Sequence, residues 1–209
     1  MHPSIFDAFE RICRTRGAGG RVLEVGALPT DEALLTLPAL QSADERVGLN
    51  VTRGGGHRGF EVVVGSANAM GCFADESFDT VLSNATLEHD RNFWKTLGEI
   101  RRVTRPGGLV VIGVPAFVES VLDADVRRWV RRIPVLRRRW RSVADTSTLT
   151  YRIHDFPGDY YRFSTQAVAE VLLEGMEDVE VEVLLTPPRA IGSGRKPMSP
   201  LAEPRRSRV

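Results

Sequence analysis

Two polar stretches of this 209-residue chain contain the side chains that could carry out chemistry. The first is Asn84–Asp90, in which His89 follows an acidic residue. The second begins at His154 and reads HDFPGDYYRFS. Histidine titrates near neutral pH, so His89 and His154 are candidates for taking a proton from a reacting group. Neither stretch shows a Ser–His–Asp order or a paired-aspartate metal site, so the sequence predicts neither nucleophilic catalysis nor a metal.

The segment Phe78–Pro115 must position the first of these stretches. It contains two apolar runs of strand length, Asp79–Ser83 and Leu109–Val114. Between them, apolar residues recur at spacings of three and four and predict one buried helical face: Phe93, Leu97, Ile100 and Val103. We expect Asp90 to cap that helix and Pro106-Gly107-Gly108 to end it. This strand–helix–strand unit of a parallel sheet places Asn84–Asp90 where open α/β sheets bind ligands.

These residues carry a family resemblance. FDTVLSNATLEHD, followed by EIRRVTRPGG, resembles the second half of class I S-adenosylmethionine-dependent methyltransferases, closest to the group called methyltransferase type 11. The resemblance covers roughly residues 21–197. It implies an α/β, Rossmann-like fold with a mostly parallel seven-stranded sheet whose last strand is antiparallel. It also implies helices on both faces of the sheet and a helical lid inserted after the fifth strand.

The resemblance implies S-adenosylmethionine as the cofactor and a small-molecule or sugar-containing acceptor. The stretch from His154 to Ser164 is similar to a segment of methyltransferases encoded with glycan and secondary-metabolite pathways, which favours O-methylation. The implied catalytic residues are His89, His154 and Tyr161. Structural alternatives stay open. His89 can shape the cofactor wall, and the stretch that contains His154 and Tyr161 can form a structural corner in which Arg162 pairs with a carboxylate such as Asp159. Glu88 could orient either histidine or cap the following helix.

The cofactor motif departs from the family pattern. The strand Arg21–Gly26 keeps one glycine of the usual E-x-G-x-G-x-G, and Leu28 and Thr30 stand where the next two would be. Asn50 stands at the family's ribose-binding acidic position, and Ser66 at its adenine-binding acidic position. The cofactor contacts implied by the resemblance are Glu24, Gly26, Ala27, Leu28, Asn50, Ala67, Asn68, Asn84 and Leu87. The departures keep open an alternative function, a non-catalytic binding module that has lost the cofactor.

Further elements follow from local patterns. The sequence predicts helices at Pro3–Thr15 and Glu32–Leu37, the second capped by Thr30 or Asp31, and a surface loop at Arg53–Gly59. Ser164 should cap a helix that runs to Gly175 and buries Val168, Val171 and Leu172. A strand with one wet face is expected at Val179–Leu185, and an antiparallel edge strand at Ala190–Gly194.

The insertion Glu119–Tyr151 carries a run of arginines within residues 127–141. Three uses stay open: peripheral contact with an anionic membrane, contact with phosphate on a nucleotide sugar or nucleic acid, or a solvated helix face. An anionic acceptor is therefore among the options, whereas nucleic acid is the less favoured partner. We expect one domain at residues 1–197, including the lid at 119–151, and a disordered tail at 198–209.

Composition excludes several classes of protein. Lysine plus arginine number 28 and aspartate plus glutamate 27, so no strong overall charge points to a polyanionic partner. Two cysteines do not make a disulfide framework, and free thiols are expected. No apolar run is long enough to span a bilayer and no signal sequence is apparent, so a cytoplasmic location is predicted. An exposed edge strand and an apolar lid make a homodimer an option.

Overall fold

The computed structural model describes residues 1–119, 148–154 and 158–198. Most of the predicted lid, the arginine run at 127–141 with its possible membrane contact, and the predicted tail from residue 199 lie outside these ranges.

Eight of the ten strands in the described residues form one sheet, and the other two pair with each other. In chain order the strands are β1 Arg21–Val25, β2 Glu45–Asn50, β3 Gly55–His57, β4 Phe60–Val64, β5 Phe78–Asn84, β6 Thr104–Pro115, β7 Val118–Glu119, β8 Thr148–Leu149, β9 Glu177–Leu185 and β10 Pro188–Arg195. The large sheet has the order β3-β4-β2-β1-β5-β6-β10-β9, and β7 pairs with β8.

The pairing confirms the predicted fold class. Strands β4, β2, β1, β5 and β6 are mutually parallel, and β10 runs antiparallel to both β6 and β9. The last strand is therefore antiparallel as expected, but it lies inside the sheet, and β9 forms that edge. At the opposite edge, Gly55–His57 pairs antiparallel with β4 and adds an eighth strand. The loop predicted over Arg53–Gly59 is wrong for these three residues, because pairing with β4 satisfies their backbone.

The core lies on both faces of the sheet, since neighbouring residues of the central strands point to opposite sides. Val22 and Leu82 pack in the cluster that contains helix α1, Pro3–Thr15. Leu23 and Val81 pack in the cluster that contains helix α2, Phe93–Val103. Helices therefore cover both faces, as the sequence predicts.

Helix α1 has the bounds predicted from sequence, with proline in its first turn. Helix α2 begins later than predicted, because Asn92 rather than Asp90 is its N-cap residue. Asp90 instead accepts hydrogen bonds from the Asn92 backbone and from the Thr96 hydroxyl. Helix α2 ends at Val103 and β6 follows at once, so the turn predicted at residues 106–108 lies within β6.

The helix predicted after β1 is wrong. Residues 34–36 and 38–40 form two short 3₁₀ turns, and Ala33 rather than Thr30 or Asp31 precedes the first. Pro38 cannot continue an α-helix from the preceding turn. The leucines of this segment are fully buried: Leu34, Leu35, Leu37 and Leu40.

The segment after Ser164 begins as predicted and then changes geometry. The Ser164 hydroxyl accepts from the Ala167 backbone N–H, which confirms the cap. A π-helical turn with i to i+5 hydrogen bonding occupies Val168–Leu172, so the residues that share a face differ from those of an α-helix, and Val171 has 48% of its surface exposed. The prediction that Val171 is buried is therefore wrong, and Leu173 is buried instead.

Cys13 is buried and Cys72 exposed, and both are free thiols as expected. Among the described residues no helix combines the length and apolar character needed to cross a membrane.

Candidate active site

A cavity of about 340 Å³ opens at the carboxyl ends of β1 and β5. This volume lies within the range of small-molecule pockets, and the position is the ligand-binding edge of open α/β sheets. The residues that line it are Met1, His2, Ile5, Glu24, Gly26, Leu28, Glu32, Ala33, Asn84, Ala85, Tyr151, Pro187 and Arg189.

Gly26 lies in one wall of the cavity, where its backbone conformation requires glycine. Its φ is +89°, a conformation that favours glycine, and its N–H donates to the Leu49 carbonyl. A Cβ at this position would overlap the Thr86 hydroxyl and lie 3.1 Å from the Thr86 Cβ. The single glycine kept from the family pattern therefore stands where the chain cannot carry a side chain without rearrangement.

Glu24 is a buried carboxylate in the same wall. Its Oε2 accepts from the Leu35 N–H at 3.1 Å and so holds the first 3₁₀ turn against β1. Burial raises the pKa of Glu24 to about 7, although the backbone N–H groups of Leu34 and Leu35 favour the charged form. Glu24 is therefore close to half ionised at neutral pH.

The residues predicted to contact the cofactor fall into three groups. Glu24, Gly26, Leu28 and Asn84 line the cavity. Ala27 and Leu87 are fully buried, so their side chains act in packing. The remaining three, Asn50, Ala67 and Asn68, are not among the lining residues.

Asn50 and Asn68 have their side chains engaged within the protein. Asn50 donates from Nδ2 to the Ala27 carbonyl, and its Oδ1 accepts from the backbone of Thr52 and Arg53. Asn68 donates from Nδ2 to Asp90 at 2.6 Å and to a neighbouring threonine hydroxyl. The predicted contacts of both residues with a nucleoside stay predictions, and for Asn50 they require local bonds to be exchanged.

A buried cluster of charged groups lies beside the cavity. Glu88 has no exposed surface and lies 3.8 Å from Arg189 Nη2 and 3.9 Å from His89 Nε2. Within the described part of the chain, neither carboxylate oxygen of Glu88 has a hydrogen-bond partner. Desolvation raises the pKa of Glu88, opposed by the positive charge of Arg189, so burial favours its neutral form. Glu88 does not cap the following helix.

The structure brings His89 and His154 together, with ring centroids 4.9 Å apart. His89 Nδ1 contacts the Gly158 carbonyl, which can only accept, so Nδ1 carries the proton and Nε2 has a free lone pair. The His154 backbone N–H donates to Asp159 Oδ2, and its Nδ1 lies 3.3 Å from the same oxygen. Neither histidine is among the residues that line the cavity.

His89 lies in a 3₁₀ turn, Leu87–His89, and not at the start of α2. Its tautomer is set by the contact of Nδ1 with the Gly158 carbonyl.

Tyr161 occupies a structural corner. Its hydroxyl donates to the Arg91 carbonyl at 3.0 Å, and its ring packs against Phe93 at 5.0 Å. The neighbouring Arg162 pairs with both carboxylate oxygens of Asp159, and this guanidinium holds the pKa of Asp159 well below its usual range. These contacts agree with the structural corner that the sequence offered as the alternative to a catalytic Tyr161. Catalysis by Tyr161 stays a prediction.

Glu88, His89 and His154 form a cluster that could hold a metal ion, with ligand atoms within 4.8 Å of one another. The sequence predicted no metal because these residues come from two distant stretches. The positive charge of Arg189 at 3.8 Å from Glu88 opposes binding of a divalent cation.

Arg189 is the functional candidate that sequence reasoning missed. It lies on β10, is 5% exposed and lines the cavity. Its Nη1 donates to Asn84 Oδ1 at 3.3 Å, and its Nε has no partner among the described residues. The available signal was an arginine inside an otherwise buried strand, since charged residues are rarely buried without a partner.

Comparison with known proteins shows similarity to methyltransferases. A family model described as a methyltransferase domain matches residues 35–112. Two uncharacterised methyltransferases, from Mycobacterium sp. strains KMS and MCS, are each 33% identical over 119 residues, which cover 54% of this chain and 46% of each relative. The chain thus spans about half the length of the curated relatives it matches.

Solved structures share the fold. A S-adenosylmethionine-dependent methyltransferase from Methanosarcina mazei has a TM-score of 0.56 at 15% identity, over 95% of this chain and 99% of that one. Phosphoethanolamine N-methyltransferase 2 from Haemonchus contortus, in complex with S-adenosylmethionine, has a TM-score of 0.58 at 15% identity, over 91% of this chain and 52% of that one. At these identities the likeness concerns the fold alone.

Proposed function

We propose that this chain is a class I S-adenosylmethionine-dependent methyltransferase, as its fold and its matched domain support, and that it transfers the cofactor's methyl group to the oxygen of a small-molecule acceptor. The observation that carries the proposal is the cavity beside Gly26, at the carboxyl ends of β1 and β5. S-adenosylmethionine supplies a methyl group already activated on a sulfonium, so the protein's task is chiefly positioning and proton transfer.

The residues beside the cavity fit the methionyl half of the cofactor. Gly26 contributes backbone to the cavity wall, and Glu24 and Asn84 supply polar groups to the same cavity. We assign the nucleoside half to the ends of β2 and β4, where Asn50, Ala67 and Asn68 lie. Exchange of the Asn50 side-chain bonds for ribose contacts accompanies binding in this assignment.

His89 is the proposed general base. Its Nδ1 proton faces the Gly158 carbonyl, so Nε2 is the nitrogen that takes the acceptor's hydroxyl proton. His154 packs against it and is the alternative base, positioned by Asp159. Tyr161 is the third proposed residue, and its hydroxyl bond to the Arg91 carbonyl suits a positioning role for the same loop.

The acceptor itself is proposed to be a small molecule or sugar of glycan or secondary-metabolite type, methylated in the cytoplasm. Support comes from the resemblance of the stretch His154–Ser164 to a segment of such methyltransferases, and from the contact of His154 with Asp159 within it.

The experiment measures methyl transfer from labelled S-adenosylmethionine to a panel of hydroxylated small molecules, beside calorimetric binding of S-adenosylhomocysteine. His89→Gln should keep binding within about threefold and lower transfer by about 10²-fold or more, the usual contribution of a general base. His154→Gln should lower transfer less. Tyr161→Phe is the matched control and should leave the pH profile of transfer unchanged. Equal transfer by the wild type and His89→Gln would remove His89 from the mechanism.

A second candidate function is a binding module without catalysis. Two observations favour it: Leu28 and Thr30 replace loop glycines, and the Asn50 side chain is fully engaged in its own turn. Mass spectrometry of ligands that co-purify with the chain separates the two candidates. Recovery of S-adenosylmethionine or S-adenosylhomocysteine supports the transferase, whereas another ligand with no binding of either supports the module.

A further inference from the structure

The cavity has two walls of different origin. Glu24, Gly26 and Leu28 come from β1 and the loop after it, the side assigned above to the cofactor. Tyr151 and Arg189 form the opposite wall, and β5 and β6 separate β10 from β1 in the sheet. The methyl acceptor therefore has Arg189 as its nearest buried charged neighbour on that second wall.

Arg189 is a buried cation whose hydrogen-bonding capacity is largely unused. Its guanidinium makes one bond, to Asn84 Oδ1 at 3.3 Å, and its Nε is unpartnered within the described ranges. Glu88 Oε1 lies at 3.8 Å, within ion-pair distance but too far for a hydrogen bond. Burying an arginine in this state is costly, and a planar oxyanion on the ligand would satisfy its remaining donors.

The surrounding charges define what kind of anion fits. Arg162, a partly buried cation nearby, is neutralised by a bidentate contact with Asp159. Glu88 lies 3.8 Å from Arg189 and makes no hydrogen bond to it among the described residues, so the Arg189 donors stay available to a ligand. One guanidinium matches the single charge of a carboxylate, whereas a phosphate dianion would leave its second negative charge without a cation, because Arg162 is already paired with Asp159.

We propose that Arg189 binds a carboxylate on the acceptor, so that the site selects a small hydroxylated carboxylic acid over its neutral analogues. The inference rests on the proposed methyltransferase function and names the substrate class of that site. Tyr151, whose ring lies 5.8 Å from the guanidinium, closes the other side of the anion site. The acid's hydroxyl then lies in the part of the cavity that Asn84 lines, where the methyl group is transferred and the proposed base takes up the proton.

The test uses the full chain with and without S-adenosylhomocysteine. Calorimetry or saturation-transfer NMR compares glycolate, 3-hydroxybutyrate, salicylate and 4-hydroxybenzoate, each with its own amide, which has a similar shape and no charge. In the wild type at least one acid should bind about tenfold or more tightly than its amide, as expected for a charge-assisted hydrogen bond. The preference should fall to within about twofold in Arg189→Gln. Arg14→Gln, an exposed arginine on α1, is the matched control and should keep it.

Arg189→Lys keeps the charge and loses the bidentate geometry, so an intermediate preference is expected. This variant decides the question if Arg189→Gln does not fold, and an unchanged preference in it overturns the proposal. A wild type that binds no acid better than its amide also overturns it, as does a preference that survives in Arg189→Gln.

A second arm tests the competing occupant, the carboxylate of the cofactor. Binding of S-adenosylhomocysteine is compared with that of 5′-methylthioadenosine, which lacks the amino-acid group. If Arg189→Gln weakens the first about tenfold and leaves the second unchanged, Arg189 belongs to the cofactor and the proposal is overturned. If the wild type binds neither nucleoside, the methyltransferase function fails, and the acid–amide comparison on the cofactor-free chain still decides whether Arg189 binds carboxylates.

Discussion

Substitution of Gly26 by alanine tests the geometry of the cofactor wall. At φ +89° an L-residue is strained by about 1–2 kcal/mol. The new methyl group would overlap the Thr86 hydroxyl, and forcing a group into a packed site costs typically about 1–3 kcal/mol. Together these effects predict a loss of roughly 3 kcal/mol in the free energy of unfolding, or a fall in Tm of about 6–12 °C for a chain of this length.

Urea unfolding of four proteins separates the two contributions: wild type, Gly26→Ala, Thr86→Ala and the double variant. Removing the Thr86 side chain relieves the overlap and leaves the backbone strain, so the alanine at position 26 should cost about 1–2 kcal/mol less in the Thr86→Ala background. Gly71→Ala is the control, because a Cβ there meets no atom within 4 Å. A Gly26→Ala protein within about 0.5 kcal/mol of wild type, or an equal cost in both backgrounds, would refute this account of the wall.

Three further predictions concern ionisation and packing. The pKa of Glu24 is raised to about 7 from an ordinary 4.5, so its contribution to the free energy of unfolding is complete below pH 4.5 and falls by roughly 3 kcal/mol as the pH rises to 7. Urea unfolding at a series of pH values should show this fall in the wild type relative to Glu24→Gln. Parallel pH profiles of the two proteins would contradict it. Asp159→Asn leaves the Arg162 charge buried without its partner and should cost about 3 kcal/mol in thermal unfolding, with a shifted His154 NMR signal; a loss below 1 kcal/mol would show that the pair does not support this loop. Gly98→Ala, at an exposed and open position inside α2, should stabilise the chain by about 0.5–1 kcal/mol in the same assay, and destabilisation would contradict the described helix.

The sequence predicted an element correctly where the conformation of that element depends on its own residues. Helix α1 has its predicted bounds because Pro3 suits the first turn and the chain leaves the helix through Gly17 at φ +65°. The central strands were recognisable because strands buried on both faces read as continuous apolar runs. The mostly parallel sheet with an antiparallel last strand came from the family resemblance and not from these local patterns.

Elements that depend on distant partners were not predictable. Gly55–His57 becomes a strand only because β4 offers a free edge. The segment after β1 becomes two 3₁₀ turns because its leucines are buried and the Glu24 carboxylate holds the Leu35 backbone. The π turn at Val168–Leu172 likewise changes which residues face the core, and no periodicity in the sequence signals it.

The candidate site was found in part. The sequence named His89 and His154, and their meeting depends on the contact between His89 and Gly158, which joins stretches about 70 residues apart. It missed Arg189, since a buried cation is visible only when the groups around it are known. The sequence predicted a ligand-binding role for Asn50, whereas the structure shows its side chain in a local hydrogen-bonded turn.

Calorimetric titration of S-adenosylhomocysteine into the wild-type chain tests the central claim most directly, because every proposed role depends on a nucleoside bound beside Gly26. The account predicts saturable binding with a dissociation constant in the micromolar range, weakened in Gly26→Ala under conditions where that variant is folded. Absence of heat and of any thermal shift with the wild type would contradict methyl transfer at this cavity.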